Sequence, residues 1–472
     1  MAPKSTAVFA CQSCGSSSPK WLGRCPECGE WNSFVEEVRA SSTPSLRVPG
    51  PGARPLSEVA ARPDSRLTTG LPGLDRVLGG GLVSGSVVLL GGEPGIGKST
   101  LLLQASRGIA ATSREVLYAT GEESAEQVRL RADRLGVSTA TLLVVAETDV
   151  DRVVAEARSR KPAVLVVDSI QAVRQGSLSS APGTVSQVRE CAAALAAYAK
   201  DHDVPVLLVG HVTKDGSLAG PKSLEHLVDA VVSVDGERGS SRRILRAVKN
   251  RFGPVDEIAL YEMTAAGLEE IANASAALLS ERRANVPGSA VTAMREGTRS
   301  LLIEVQALVG GLTAGSPRRV AIGVDSGRLA LLLAVLERAG VPLSGREVFV
   351  SCAGGLEVNE PAADLAIVAA LVSSARGEPL PASSVFFGEI GLLGEVRRVS
   401  AAPSRIREAG ALGFEKVYLP SGNAIETTGV ARVEIHPVER VAELLRTFAD
   451  LGSNGSARTA SRRGAGPTES GG

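Results

Sequence analysis

Residues Ser86 to Thr100 read SVVLLGGEPGIGKST, and the fold of the chain is decided there. An apolar run, Val87, Val88, Leu89 and Leu90, stops at paired glycines and passes into Gly92-x-x-x-x-Gly97-Lys98-Ser99. This is the phosphate-binding P-loop pattern, lying after a strand-like run and before the helix-like LLLQASRGIAA. Glycines let backbone N–H groups curl around phosphate oxygens, and the following helix adds its positive N-terminus. The expected nucleotide cradle is Gly92, Glu93, Pro94, Gly95, Ile96, Gly97, Lys98, Ser99 and Thr100, with ATP and Mg²⁺ as ligands. Lys98 would reach the β and γ phosphates, and the Ser99 hydroxyl would hold Mg²⁺.

Working outward, strand-like runs alternate with helix-like segments. The strands are VLYA (116–119), TLLVV (141–145), AVLVVD (163–168), VPVLLVG (204–210), AVVSVD (230–235) and RRILRAV (242–248); the helices cover about 124–135, 149–160 and 185–201. That alternation predicts a mostly parallel sheet covered on both faces, an α/β domain over about 67–275. The run Val164 to Val167 delivers Asp168 to a strand end, where it would bind Mg²⁺ through water. TGEES places Glu122 and Glu123 beyond another strand end. A carboxylate there can deprotonate the attacking water, which favours Glu122, or both glutamates can serve the helix that starts near Ser124. His211 ends its strand beside Thr213 and Lys214, either touching the γ-phosphate or facing solvent. In RRILRAVKNRFG, strand alternation puts Arg243, Lys249 and Arg251 on one face with Leu245 and Ala247 between them. These cations form either a solvated basic edge or a set aimed at phosphates, of DNA or of a neighbouring subunit's ATP.

Toward the N-terminus, four of the six cysteines fall as Cys11-x-x-Cys14 and Cys25-x-x-Cys28, separated by ten residues and each pair followed by glycine. Two such turns close a tetrahedral Cys₄ site that favours Zn²⁺ over the redox use of a lone CxxC. Four thiolates leave no open coordination position, so the metal of this 1–40 ribbon is structural. Trp21 and Trp31 flank the second pair and are expected to pack a small core rather than form an interaction face. Residues 41–66 are rich in Pro, Gly, Ser and Arg and read as a linker, while 451–472 read as a disordered tail.

The 51 basic and 51 acidic residues balance, so any nucleic-acid site must be a local patch. Aromatics are only 3%, which rules out base stacking as the main mode of recognition. No secretory pattern and no bilayer-length apolar run is present, so the expectation is a cytoplasmic chain with no membrane partner.

Several segments together resemble the RadA (Sms) family of bacterial DNA-repair ATPases, RecA-like and DnaB-like motors. They are CQSCGSSSPKWLGRCPECGEWNSF, GLDRVLGGGLVSGSVVLLGGEPGIGKST, YATGEES, LVVDSIQ, GHVTKDG and KNRFG at 249–253. The resemblance implies that Lys249 and Arg251 lie at a subunit interface and serve ATP hydrolysis. It further implies a homo-hexameric ring that binds single-stranded and branched DNA, and branch migration of joints made by a RecA-type recombinase partner.

Residues 285–450 resemble the proteolytic domain of Lon through REGTRSLLIEVQALV, FFGEIGLLGEV and GALGFEKVYLP. Amphipathic helices are expected at RLALLLAVLERAG and PAADLAIVAALVSSA. Lon-type proteolysis uses a Ser nucleophile activated by a Lys. The matching positions here are Ala362 and Pro403, so this α+β domain is inactive as a protease and reads as a scaffold for ring assembly or a DNA-contacting surface, with Lys416, Arg397 and Arg398 as candidate contacts. The fold expected is thus a RecA-like P-loop core between an N-terminal Cys₄ zinc ribbon and a Lon-like domain. The leading function is a DNA-stimulated ATPase. The alternatives are an ATP-dependent Lon-type protease, which Ala362 disfavours, and a non-motor regulatory RecA-fold ATPase.

Overall fold

The computed structural model describes residues 6–11, 13, 15–39, 55, 57, 66–137, 139–211, 223–236, 240–255, 257–313, 315–353, 357–358, 360–425 and 433–448. The 451–472 segment, most of 41–66, Cys14, Thr213 and Lys214 lie outside the described residues. The chain divides into two compact units, Met1–Ala272 and Asn273–Gly472.

In the first unit, runs that are apolar at every position become strands buried on both faces. All six residues of Val87–Gly92 are buried. They occupy a nine-stranded sheet in the order Gly267–Glu270, Ile258–Thr264, Arg242–Asn250, Ala230–Asp235, Val87–Gly92, Val206–His211, Val164–Asp168, Val116–Thr120, Leu142–Ala146. Pairing is parallel from Ala230–Asp235 through Leu142–Ala146. The three strands on the other side are antiparallel. Alternate residues feed two cores. Val88, Leu90, Val166 and Val209 face one side with the helix Lys98–Ala110, whose Leu101, Leu102 and Ile109 are buried against them. Val87, Leu89, Leu165 and Val167 face the other, under the helices Val150–Arg160 and Val185–His202. The hairpin Ile258–Thr264/Gly267–Glu270 is absent from the sequence reading. Its second strand is only four residues long and half acidic, and Gly267 follows the turn at φ +113°.

The ribbon is a three-stranded antiparallel sheet around Cys11, Cys25 and Phe34, with Phe9 and Leu22 packed against them. The expectation that the tryptophans fill this core is corrected. Trp21 is 52% and Trp31 67% exposed, because the cysteines and Phe34 already fill so small an interior.

The second unit is a seven-stranded mixed sheet in the order Arg319–Ile322, Arg346–Cys352, Arg299–Leu312, Ser289–Glu296, Ser384–Phe386, Lys416–Pro420, Glu434–Val438. The helix Ser326–Arg338 has one buried face, as its pattern predicts. Asp364–Arg376 does not: every residue from Asp364 to Ser373 is buried. It is the central helix of the unit, and its small residues Ala366, Ala369 and Ala370 suit close packing on all sides.

Candidate nucleotide site and metal centre

The loop after Val87–Gly92 lies at the carboxyl edge of the parallel strands, where open α/β sheets bind ligands. Two of its glycines are required by geometry. A Cβ on Gly92 would stand 2.6 Å from the Val234 carbonyl oxygen, and Gly97 adopts φ +115° with Met263 pressed against it. Lys98 opens the helix and is 5% exposed. Its Nζ donates to the carbonyls of Gly92 at 2.7 Å and Glu93 at 2.8 Å. Burial lowers its pKa, while the charges of Asp168 and Glu122 pull it back up. Gly97 has no side chain to cap the helix and no acidic residue occupies the first turn, so an anion meets no competitor for those N–H groups.

Two neighbouring strands bring carboxylates to this edge. Asp168 ends Val164–Asp168 and accepts a hydrogen bond from the Tyr118 hydroxyl at 2.5 Å. Burial drives the Tyr118 phenol well above its ordinary pKa, so it remains a donor. Thr120 pairs with Asp168 across the strands, and just beyond it Glu122 accepts from the Ser169 hydroxyl. Glu123 turns elsewhere, into an ion pair with Arg131. Neither glutamate caps the helix Ala125–Arg134: Ser124 does, in a capping box with Gln127. The two adjacent carboxylates thus part, Glu122 to Ser169 and Glu123 to Arg131. His211 is described by its backbone, which pairs with Gly92 beside the loop.

The basic strand departs from its expected pattern. Ala247 lies opposite Val232 and Lys249 opposite Val231, with Val248 as an extra residue between them. This β-bulge reverses the alternation. Arg243, Leu245 and Ala247 share a face, and Lys249 lies on the other, so the single basic face is corrected. Arg243 Nε donates to the Ile96 carbonyl at 3.0 Å, bracing the P-loop of its own chain. Lys249 Nζ donates to the carbonyls of Glu225 and, at 2.8 Å, Val228, at the end of the short helix Ser223–Leu227. Arg251 pairs with Asp229 at 3.0 Å and is half-exposed. Arg66 donates to the Phe252 carbonyl at 2.6 Å, tying the KNRFG turn to the short strand Arg66–Leu67, which pairs with Leu82–Val83.

In the ribbon, Cys11, Cys25 and Cys28 bring their sulfurs within 4.8 Å of one another, Cys11 and Cys28 at 3.7 Å. A tetrahedral ion with Zn–S bonds of about 2.3 Å requires sulfur–sulfur edges of about 3.8 Å. The donor set therefore fits zinc. The two knuckles are built alike: Gly15 N–H donates to the Cys11 carbonyl at φ +74°, and Gly29 N–H to the Cys25 carbonyl at φ +76°.

In the second unit, Ala362 sits in the 3₁₀ turn Pro361–Ala363 with 1% exposure, and Pro403 lies in the first turn of Ala402–Ala411. Around them the polar groups are structural: Glu360 pairs with the fully buried Arg405, and Asp364 with Arg328. Lys416 faces Glu434 at 3.8 Å and Arg397 pairs with Glu395 at 2.6 Å, so two of the three candidate DNA contacts have carboxylate partners in the unit itself.

Comparison with known proteins places two family models on the chain, an AAA domain over residues 53–217 and a rubredoxin metal binding domain over 9–36. The DNA repair protein RadA of Bacillus subtilis (strain 168) is 48% identical over 454 residues, covering 94% of this chain and 99% of its own. That of Pseudomonas aeruginosa is 49% identical, covering 89% and 94%. Among solved structures, a KaiC-like protein from Pyrococcus horikoshii OT3 aligns with 44% of this chain and all of its own at 21% identity and TM-score 0.38. The RadB recombinase aligns with 43% and 99% at 24% identity and TM-score 0.35.

Proposed function

The chain belongs to the family of the DNA repair protein RadA, and from that premise we propose that it is a DNA-stimulated ATPase that processes recombination intermediates. The observation that carries the reading is the convergence of Lys98, Asp168 and Glu122 on one sheet edge, where the two carboxylates oppose the lowering of the lysine's pKa by burial. Lys98 and the N-terminus of its helix bind the phosphates. Ser99 and Asp168 would hold Mg²⁺, which supplies charge neutralisation on the transferring phosphoryl group when bound. Glu122, held by Ser169, orients and deprotonates the attacking water.

Arg251 completes the site of an adjacent subunit in a hexameric ring, for which its half-exposed guanidinium is suited. Lys249 supports it from within the same chain by holding the end of Ser223–Leu227. Cys11, Cys14, Cys25 and Cys28 hold a structural zinc. The Lon-like unit serves the ring or its DNA, since a buried methyl and a proline stand where peptide hydrolysis needs a hydroxyl and an amine.

Single-stranded and branched DNA are the substrates, in the cytoplasm, alongside a RecA-type recombinase. ATP turnover measured with and without single-stranded DNA tests the reading, and stimulation is the expected result. Absence of both stimulation and DNA binding in every nucleotide state overturns the motor and leaves a non-motor ATPase. Images of the ATP-analogue complex with DNA test the ring.

A further inference from the structure

Arg243 lies 147 residues from the P-loop isoleucine whose carbonyl it holds, and it is part of no P-loop pattern. Its guanidinium is fixed on two sides. Nε donates to the Ile96 carbonyl at 3.0 Å, while one terminal nitrogen donates to the carbonyls of Ser240 at 2.6 Å and Arg242 at 2.7 Å. Gly236, just past the end of the adjacent strand, makes room for this arrangement. A Cβ there would lie 2.9 Å from the Arg242 carbonyl oxygen, itself an acceptor for Arg243, 2.9 Å from Arg243 Cδ and 3.1 Å from its Nη1.

The bond matters because of what shares the Ile96 carbonyl's peptide plane. A trans peptide is planar, so its C=O and N–H point in opposite directions. Drawing the Ile96 oxygen out toward Arg243 turns the Gly97 N–H the opposite way, off the strand that carries Arg243. Gly97, at φ +115°, has no side chain to hold that plane, and glycine tolerates the flipped orientation at little steric cost. Something outside the loop must select the orientation, and a charge-assisted bond from a rigid strand is strong enough to do so.

We propose that Arg243 is a positioning residue of the nucleotide site, holding the Ile96–Gly97 peptide so that the Gly97 N–H is presented to a bound phosphate. The proposal rests on the ATPase reading above. It also ties the loop to the strand Arg242–Asn250, whose far end carries Lys249 and leads to Arg251.

The test uses the full-length chain and variants Arg243→Gln, Arg243→Lys and Gly236→Ala, with MgADP binding by calorimetry, steady-state ATPase kinetics and thermal unfolding. Arg243→Gln is expected to weaken MgADP binding about tenfold or more. KM for ATP should rise while kcat stays within about threefold, because the contact is made alike in ground and transition states. Arg243→Lys, which keeps a cationic donor, should recover most of the affinity. Gly236→Ala, which leaves the guanidinium but displaces its stem and the Arg242 carbonyl it bonds to, should weaken binding in the same way.

MgADP affinity unchanged in Arg243→Gln, or a fall in kcat with KM unchanged, overturns the proposal. If Arg243→Gln does not fold, Gly236→Ala decides, and wild-type affinity in that folded variant overturns it. A wild-type chain that binds no MgADP removes the nucleotide reading itself, a result separate from any behaviour of the variants.

Discussion

Arg251 and Asp229 form an ion pair at 3.0 Å, and the other oxygen of the same carboxylate accepts the Val87 N–H at 3.0 Å. One buried side chain thus joins the KNRFG turn to the first residue of the P-loop strand. The two partners are unequal: the Arg251 side chain is 51% exposed and that of Asp229 only 8%.

Asp229→Ala should therefore cost about 1–3 kcal/mol of stability, since it leaves the buried Val87 N–H without its acceptor. Arg251→Ala should cost less than about 1 kcal/mol, as exposed ion pairs do. Its effect should instead fall on ATP turnover. Denaturant unfolding alongside an ATPase assay separates the two, and a stability loss for Arg251→Ala as large as that for Asp229→Ala would contradict the asymmetry.

Glu122 and Glu123 offer a sharper comparison. Glu122→Gln should reduce turnover by at least about a hundredfold with MgATP binding retained, as expected for loss of a general base. Glu123→Gln removes only the Arg131 pair and should leave kcat within a factor of about three. Lys98→Ala should abolish turnover altogether. Single-turnover hydrolysis and nucleotide titration measure all three, and equal losses in the two glutamate variants would refute Glu122 as the base.

The cysteines should divide by environment. Burial pushes the thiols of Cys191 and Cys352 up to about 12. A raised thiol pKa means less thiolate at any lower pH, so at pH 8 only about one in ten thousand is nucleophilic. Iodoacetamide at pH 8 should leave these two intact in the folded chain, with labelling rising only on strong alkalinisation or unfolding. The ribbon cysteines should become reactive once a chelator removes about one zinc per chain. Peptide mass spectrometry reads both outcomes; early labelling of Cys191 or Cys352, or no metal released, would count against this division.

Restoring a hydroxyl alone should not restore proteolysis. Ala362→Ser places an alcohol at a position with 1% exposure and no amine at Pro403 to activate it. Casein incubated with this variant and ATP should remain uncleaved, and any cleavage would reopen the protease reading.

Much of this architecture is legible in the sequence because the relevant signals are local. The P-loop spacing, the strand ending in Asp168 and the paired CxxC turns each need only a few consecutive residues. What escaped depends on partners far along the chain. The bulge at Val248 is invisible in RRILRAVKN, because it is a mismatch of register with Ala230–Asp235 rather than a property of either strand. The helix Asp364–Arg376 reads as amphipathic until the sheet and its neighbours cover every side. The tryptophans look like core until three smaller side chains have filled the ribbon's interior.

The sequence by itself determined the phosphate-loop spacing and the paired CxxC turns, since backbone curvature and ligand spacing are set within a single turn. Only the tertiary structure decided that Glu122 meets Ser169 while Glu123 pairs with Arg131, where the basic strand sends its cations, and that Arg243 reaches the P-loop. Those are matters of strand order and register, and they arise only when segments distant in sequence share one sheet.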